Sequence, residues 1–241
     1  MRTTTQDPLA EKYYDISPYA WCANNPVNLV DPDGMSPIYN RNGDLIGTDE
    51  HGLTGEAIIM DEKFFTQGMS FSEASFFNLS IDGLENDQAL KKYNESFENL
   101  STRPDYNGFI TDLEARNWWK EGNGAPLYVD VSQIDLRPLS ISDLNYNEAI
   151  VHNFFFDINS SIHTGRVYGN LTLTLLNKET GEVKIGPNDK SYIDEYDFNI
   201  NGPFFSDFDR NLATLLIRVF IVGKGTPFLF YPYGKNPIIS K

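Results

Sequence analysis

The chain has 241 residues, 40% of them hydrophobic and 14% aromatic, enough for one large core or two small ones and too much for a disordered protein. Its 34 acidic against 19 basic residues leave a formal charge of −15, which argues against a nucleic-acid partner, because gripping a phosphate backbone needs clustered Lys and Arg. The single cysteine, Cys22, excludes an internal disulfide and any multi-cysteine zinc site.

The chain begins without an apolar signal-peptide core, and its longest apolar stretch, from Leu212 to Val222, is too short to span a bilayer and carries Arg218. Asn24-Asn-Pro-Val-Asn-Leu-Val-Asp-Pro-Asp-Gly34 is a run of fixed turns, poor in helix formers. With Asp7-Pro-Leu-Ala-Glu-Lys-Tyr-Tyr and Ser17-Pro-Tyr-Ala-Trp before it, this segment closely resembles the end of the Rhs/YD-repeat core domain. The resemblance makes residues 1–34 a core-domain remnant and implies a C-terminal effector beyond it. In such proteins two aspartates near the end of the core release the effector, and Asp7 and Asp31 match those positions; read as residues alone, each simply opens an Asp-Pro turn.

Residues 35–125 read as a connector. Asn42-Gly43 between Ile38 and Ile46 predicts a β-hairpin, and Glu56 to Met60 a further strand. Residues 47–75 resemble a connector that often follows Rhs cores in Bacteroidetes. Three helices are expected next. Ser70 with Glu73 forms a capping box, Leu90, Tyr93, Phe97 and Leu100 recur at helical spacing, and Thr111 with Glu114 forms a second capping box. Gly122 should stop the third helix just after Trp118-Trp119. These adjacent residues lie about 100° apart on a helix, so one belongs in the core and the other at a rim, unless the pair forms a ligand platform.

From residue 126 to 241 strands dominate. Leu127, Val129 and Val131 alternate with polar partners, and residues 167–175 alternate over nine positions, predicting a half-buried strand. Asn177 to Gly181 turns the chain into Glu182–Ile185. A strand over 192–200, an amphipathic helix from about residue 206 to Gly223, and a last strand over 226–233 follow. The fold class is therefore α+β: a helical connector, then an antiparallel meander with one amphipathic helix near the C-terminus.

Phosphate-binding glycine loops, nucleophile elbows and zinc-protease motifs are all missing from the sequence. His51, His152 and His163 are the only histidines; His152 reads as a strand residue beside Phe154, and His163 is the best general-base candidate of the three. Asp194-Glu-Tyr-Asp197 is the richest stretch. Alternation puts Asp194 and Tyr196 on one face and Asp197 on the other unless the strand bends. The group is either an acidic strand edge with packed rings or a site that holds a divalent ion and does acid–base work on a phosphodiester.

The order of Gly165-Arg-Val-Tyr-Gly-Asn-Leu, Thr180-Gly-Glu-Val, Asp194-Glu-Tyr-Asp, Arg210-Asn-Leu and Gly225-Thr-Pro-Phe resembles the activity domain of colicin M-type bacteriocins. That family hydrolyses the lipid II peptidoglycan precursor with magnesium, using an Asp-x-Tyr-Asp motif followed by His-Arg. By this resemblance Asp194, Tyr196, Asp197 and Arg210 are catalytic and Asp194 and Asp197 hold Mg2+. No histidine follows His163, so His163 is the substitute for the missing one, entering from the strand before the meander. The combined expectation is a toxin effector in interbacterial competition, delivered to the cell envelope as part of an Rhs protein. Its partners would be a small immunity protein and a lipid-linked peptidoglycan precursor. The alternative is a non-enzymatic surface or delivery module, or a decayed effector.

Overall fold

The computed structural model describes residues 36–137, 139–154, 162–197 and 224–240. Over these residues the protein is α+β, with three small sheets and four α-helices. Residues 1–35, with Asp7, Cys22 and Asp31, and the expected helix with Arg210 lie outside the described residues.

The first sheet grows from the Asn42-Gly43 turn. Asn40 caps it locally, its Oδ1 accepting from the Asn42 and Asp44 N–H groups at 3.0 and 2.9 Å. β1 (Pro37–Tyr39) and β2 (Leu45–Thr48) then pair antiparallel, and β3 (Ile58–Ile59) adds parallel to β1. Gly43 is in the left-handed region at φ 78° and a Cβ there would collide with the Ala89 carbonyl oxygen. The turn glycine thus also allows the second helix to dock.

The helices start where capping predicts. α1 (Phe71–Phe76) and α3 (Asp112–Glu121) each carry a complete capping box, from Ser70 with Glu73 and Thr111 with Glu114. α2 (Asp87–Glu98) is capped by Asn86, which accepts from the Gln88 and Ala89 N–H groups. Trp119 of α3 is 2% exposed and enters the main core, whereas Trp118 stays half-buried at the surface, the division that adjacent positions on a helix require.

β4 (Leu127–Asp130) departs from its alternating pattern: Leu127 and Val129 point into the main core, and Tyr128 is buried on the other face with Leu53, Leu100 and Tyr233. The strand is covered on both sides. β5 (Ala149–Asn153), β6 (Asn170–Asn177) and β7 (Glu182–Ile185) form the expected antiparallel meander. The strand expected over 167–175 begins later, at Asn170, and runs on to Asn177. α4 (Ile162–Val167) and a turn precede it, closed by Tyr168 N–H to Thr164 O at 2.9 Å and Gly169 N–H to Gly165 O at 3.1 Å. Thr164 anchors that helix by donating its hydroxyl to Asp135 O at 3.0 Å, and Gly169 at φ 63° turns the chain into β6. Val167 and Tyr168 are both buried because the helix end packs inward, whereas strand alternation would have put them on opposite faces.

β8 (Asp194–Tyr196) and β9 (Phe228–Tyr233) do not extend the meander. They make a separate sheet in the order β4-β9-β8, with β9 in the centre, parallel to β4 and antiparallel to β8. The core and several hydrogen bonds cross position 125. Tyr128 N–H donates to Asp105 at 2.8 Å, Asp130 N–H to Gly108 O at 3.0 Å, Thr226 N–H to Trp119 O at 2.8 Å, and Gln67 to Pro232 O at 3.1 Å. Among the described residues no helix is long and apolar enough to cross a membrane.

Candidate functional site

β8 is held by backbone pairing to β9 alone among the described strands, with Asp194 opposite Phe230, Glu195 opposite Leu229 and Tyr196 opposite Phe228. Tyr196 fixes it to the core. Its ring stacks on Phe228 at 5.0 Å and meets Trp119 and Phe230 edge-on at 6.2 Å each, leaving 6% of the residue exposed. Burial pushes its phenol up to about 12, against the opposing pull of the Arg116 guanidinium. In this position Tyr196 is chiefly a strut for the strand.

Asp194 shares that face of β8 by alternation. Part of the side chain reaches solvent, but its carboxyl is set deep in surrounding atoms. Burial raises its pKa well above the usual carboxylate range; the Glu195 backbone N–H opposes this, and the negative charges of Asp197 and Glu195 add to it. Tyr168 lies close by, its ring 5.0 Å from Phe230, the cross-strand partner of Asp194. Its phenol is raised by burial and further by the Asp194 charge. Asp197 is half-buried just past the strand end and near enough to act electrostatically on Asp194.

Asp194, Tyr196 and Asp197 thus lie on β8 and at its end, the two carboxyl groups near enough to interact electrostatically and Tyr196 turned into the core. His163 is elsewhere. It sits on α4, not on a strand, and stacks on Phe109 at 4.5 Å. Burial lowers its pKa, opposed by a hydrogen bond to the Ile110 backbone and the charges of Asp135 and Glu114. These contacts lie at the N-terminal end of α3, whereas Tyr196 packs on Trp119 near its C-terminal end. At about 1.5 Å per residue the two places are on the order of 10 Å apart along the helix.

Arg116 and Tyr168 are the neighbours that sequence reasoning missed. Asp112, Arg116 and Trp119 recur at helical spacing on one face of α3, and Trp119 touches Tyr196, so Arg116 is carried towards β8. Its guanidinium is paired with Asp112. The spacing from Trp119 was available in the sequence; the contact between α3 and β8 was not. Arg210 lies outside the described residues.

Magnesium is commonly held by one or two carboxylates, with water and substrate phosphate completing the shell. Asp194 and Asp197 fit that donor set: two hard-oxygen groups whose mutual repulsion a cation relieves. Among the described residues no group of three or more His, Cys, Asp or Glu is placed to form a fuller cage.

No protein-family model matches the chain, and a search of curated proteins returns no match. Among solved structures the chain is similar to the truncated bacteriocin syringacin M from Pseudomonas syringae pv. tomato DC3000. The identity is 18% and the TM-score 0.30, over 63% of this chain and 73% of that one.

Proposed function

We propose that the chain is the effector part of an Rhs-type toxin and that β8 carries a metal-assisted site for hydrolysing a lipid-linked pyrophosphate or phosphodiester of the lipid II class. The observation that carries the reading is the state of Asp194: a desolvated carboxyl beside a second carboxylate, with a pKa raised by both. Such an arrangement is costly for a strand that is merely structural, and perturbed acids in partly open positions are enriched at functional sites. The Asp-x-Tyr-Asp order of this segment, which resembles the colicin M-type motif, supports the same assignment.

In this reading Asp194 and Asp197 bind Mg2+. When bound, the ion supplies Lewis-acid polarisation of a phosphoryl oxygen. Tyr196 sets the height of the strand against Phe228 and Trp119, so the two carboxylates keep their spacing. Arg116 brings a guanidinium to this part of a chain whose formal charge is −15; Asp112 holds its Nε and Nη2, and Nη1 is left to meet a phosphate oxygen. A small immunity protein with a basic face suits the same charge.

The test is toxicity by compartment. The full chain is expressed in bacteria with and without an export signal, alongside Asp197→Asn. Growth arrest only on export, lost by about 10²-fold or more in the variant, is expected for an envelope substrate. Arrest only inside the cell would overturn the lipid-linked substrate. No arrest in either compartment favours the second reading, a non-enzymatic surface or delivery module. The burial of the Tyr196 ring in the core supports that rival, because a ring spent on packing is withdrawn from substrate.

A further inference from the structure

α3 has a second working face. Opposite Asp112, Arg116 and Trp119, the residues Glu114, Asn117, Trp118 and Glu121 form one wall of a cleft of about 500 Å³, and the segment 101–107 forms the other. Trp118 is rigidly set. Its indole N–H donates to Ala125 O at 2.8 Å, and a Cβ at Gly122 would come within 2.6 Å of its ring. The Arg103 guanidinium lies 5.1 Å from the Trp118 ring, fixed by two bonds to Asp105 at 2.9 and 2.7 Å and one to Pro126 O at 2.8 Å. Those bonds use Nε and Nη2. Nη1 has no partner among the described residues.

The remaining polar groups are also only partly used. Glu114 gives Oε2 to Thr111, leaving its other oxygen. Asn107 accepts from the Phe109 N–H through Oδ1 at 2.9 Å, leaving its Nδ2 as a donor. Asn117 and Glu121 are exposed along the cleft. The lining therefore offers acceptors, donors and a rigid aromatic surface in one concavity.

The chemistry of that set narrows the ligand. The Arg103 charge is already matched by Asp105, and two further carboxylates face the cleft, so an anion is repelled. A bare cation would use the carboxylates but offer no acceptor to the Asn107 amide or to Arg103 Nη1. An apolar ligand would strand the carboxylates and amides without water. A neutral, polyhydroxylated ring suits all of them: its hydroxyls both donate and accept, and its C–H groups pack on the part of the Trp118 indole that lines the cleft. We propose that this cleft is a saccharide-binding site for one or two sugar rings, distinct from the β8 carboxylates and independent of the reaction assigned to them.

The test follows the tryptophan indole N–H signals of the full chain by NMR, with the Trp118 signal assigned by Trp118→Phe. Cellobiose, maltose and N,N′-diacetylchitobiose are titrated in turn, with glycylglycine as a zwitterionic comparison. At least one disaccharide should shift the Trp118 signal saturably. The double variant Asn117→Ala/Glu121→Gln, altered only at exposed positions, should weaken that binding by about tenfold or more while leaving the Trp119 signal in place. No shift with any disaccharide, a shift that the double variant leaves unchanged, or binding of the dipeptide alone would each overturn the proposal.

Discussion

At the scale of single residues, Asp194 makes the most direct prediction. In an unfolded chain its carboxyl ionises near the ordinary aspartate value of about 4. In the folded protein burial and the neighbouring carboxylates hold the proton to higher pH. Between those two values the folded state binds more protons than the unfolded one, so stability falls as pH rises through the window and stays lowered above it. Asp194→Asn removes this effect. In urea titrations the variant should be more stable than the parent at about pH 7 and equal to it at about pH 3, below both values. Magnesium should stabilise the parent and leave the variant unchanged, by mass action on the folded state. A parent indifferent to magnesium would remove the metal from the proposed site while leaving the titration argument intact. Asp105 behaves differently, because its carboxylate is matched: it is fully buried, doubly bonded to Arg103 and accepts from the Tyr128 N–H. Asp105→Ala leaves a largely buried guanidinium without its counter-charge, bonded only to Pro126 O, and the Tyr128 N–H without its carboxylate acceptor, and should cost about 3–5 kcal/mol in denaturant unfolding.

At the scale of elements, α3 joins the three places where chemistry is argued: β8 on one face, the cleft on another, and His163 at its N-terminal end. Its two tryptophans separate these roles. Trp119→Ala should cost about 3–5 kcal/mol, as large aromatic deletions from a core do. Trp118→Phe loses chiefly the hydrogen bond to Ala125 O, worth about 1 kcal/mol, and both figures can be read from the same unfolding curves. The local pieces of this helix were legible in the sequence, from the Thr111–Glu114 capping box to the split between Trp118 and Trp119, because capping and helical angle depend only on near neighbours. The hairpin at Asn42-Gly43 was legible for the same reason. α4 was not: Val167 and Tyr168 are buried by the inward packing of a short helix, and two buried residues before Gly169 read equally well as strand. Nor was the separate sheet of β4, β9 and β8, since a parallel pairing between residues about a hundred positions apart leaves no local periodicity. The candidate site followed the same division. Asp194, Tyr196 and Asp197 could be found as a motif, whereas Arg116 and Tyr168 join them only through tertiary contact.

For the whole molecule, the bonds across position 125 predict that the connector and the strands after it lose structure together. The turn at 122–125 is tied by Ala125 N–H to Gly122 O at 2.9 Å and sits beside Thr226, which donates to Trp119 O. Limited proteolysis at 122–124 should therefore track global unfolding, its rate rising with denaturant in step with loss of tryptophan fluorescence. Cleavage there under native conditions, with both fragments remaining folded, would establish two separable units.

The central place of β9 has a consequence for synthesis. β4 and β8 both leave the ribosome before the strand that joins them, and β8 has no other strand partner among the described residues. Until the chain has been made and extruded past Tyr233, Asp194 and Asp197 have no ordered sheet to stand on. A chain that ends before β9 thus lacks the formed sheet on which the proposed reaction rests, in whichever compartment it is placed. Arrested ribosome-bound chains of increasing length should show this as an abrupt gain of protease resistance in the 192–197 segment once residues 228–233 clear the exit tunnel, with no gradual approach to it.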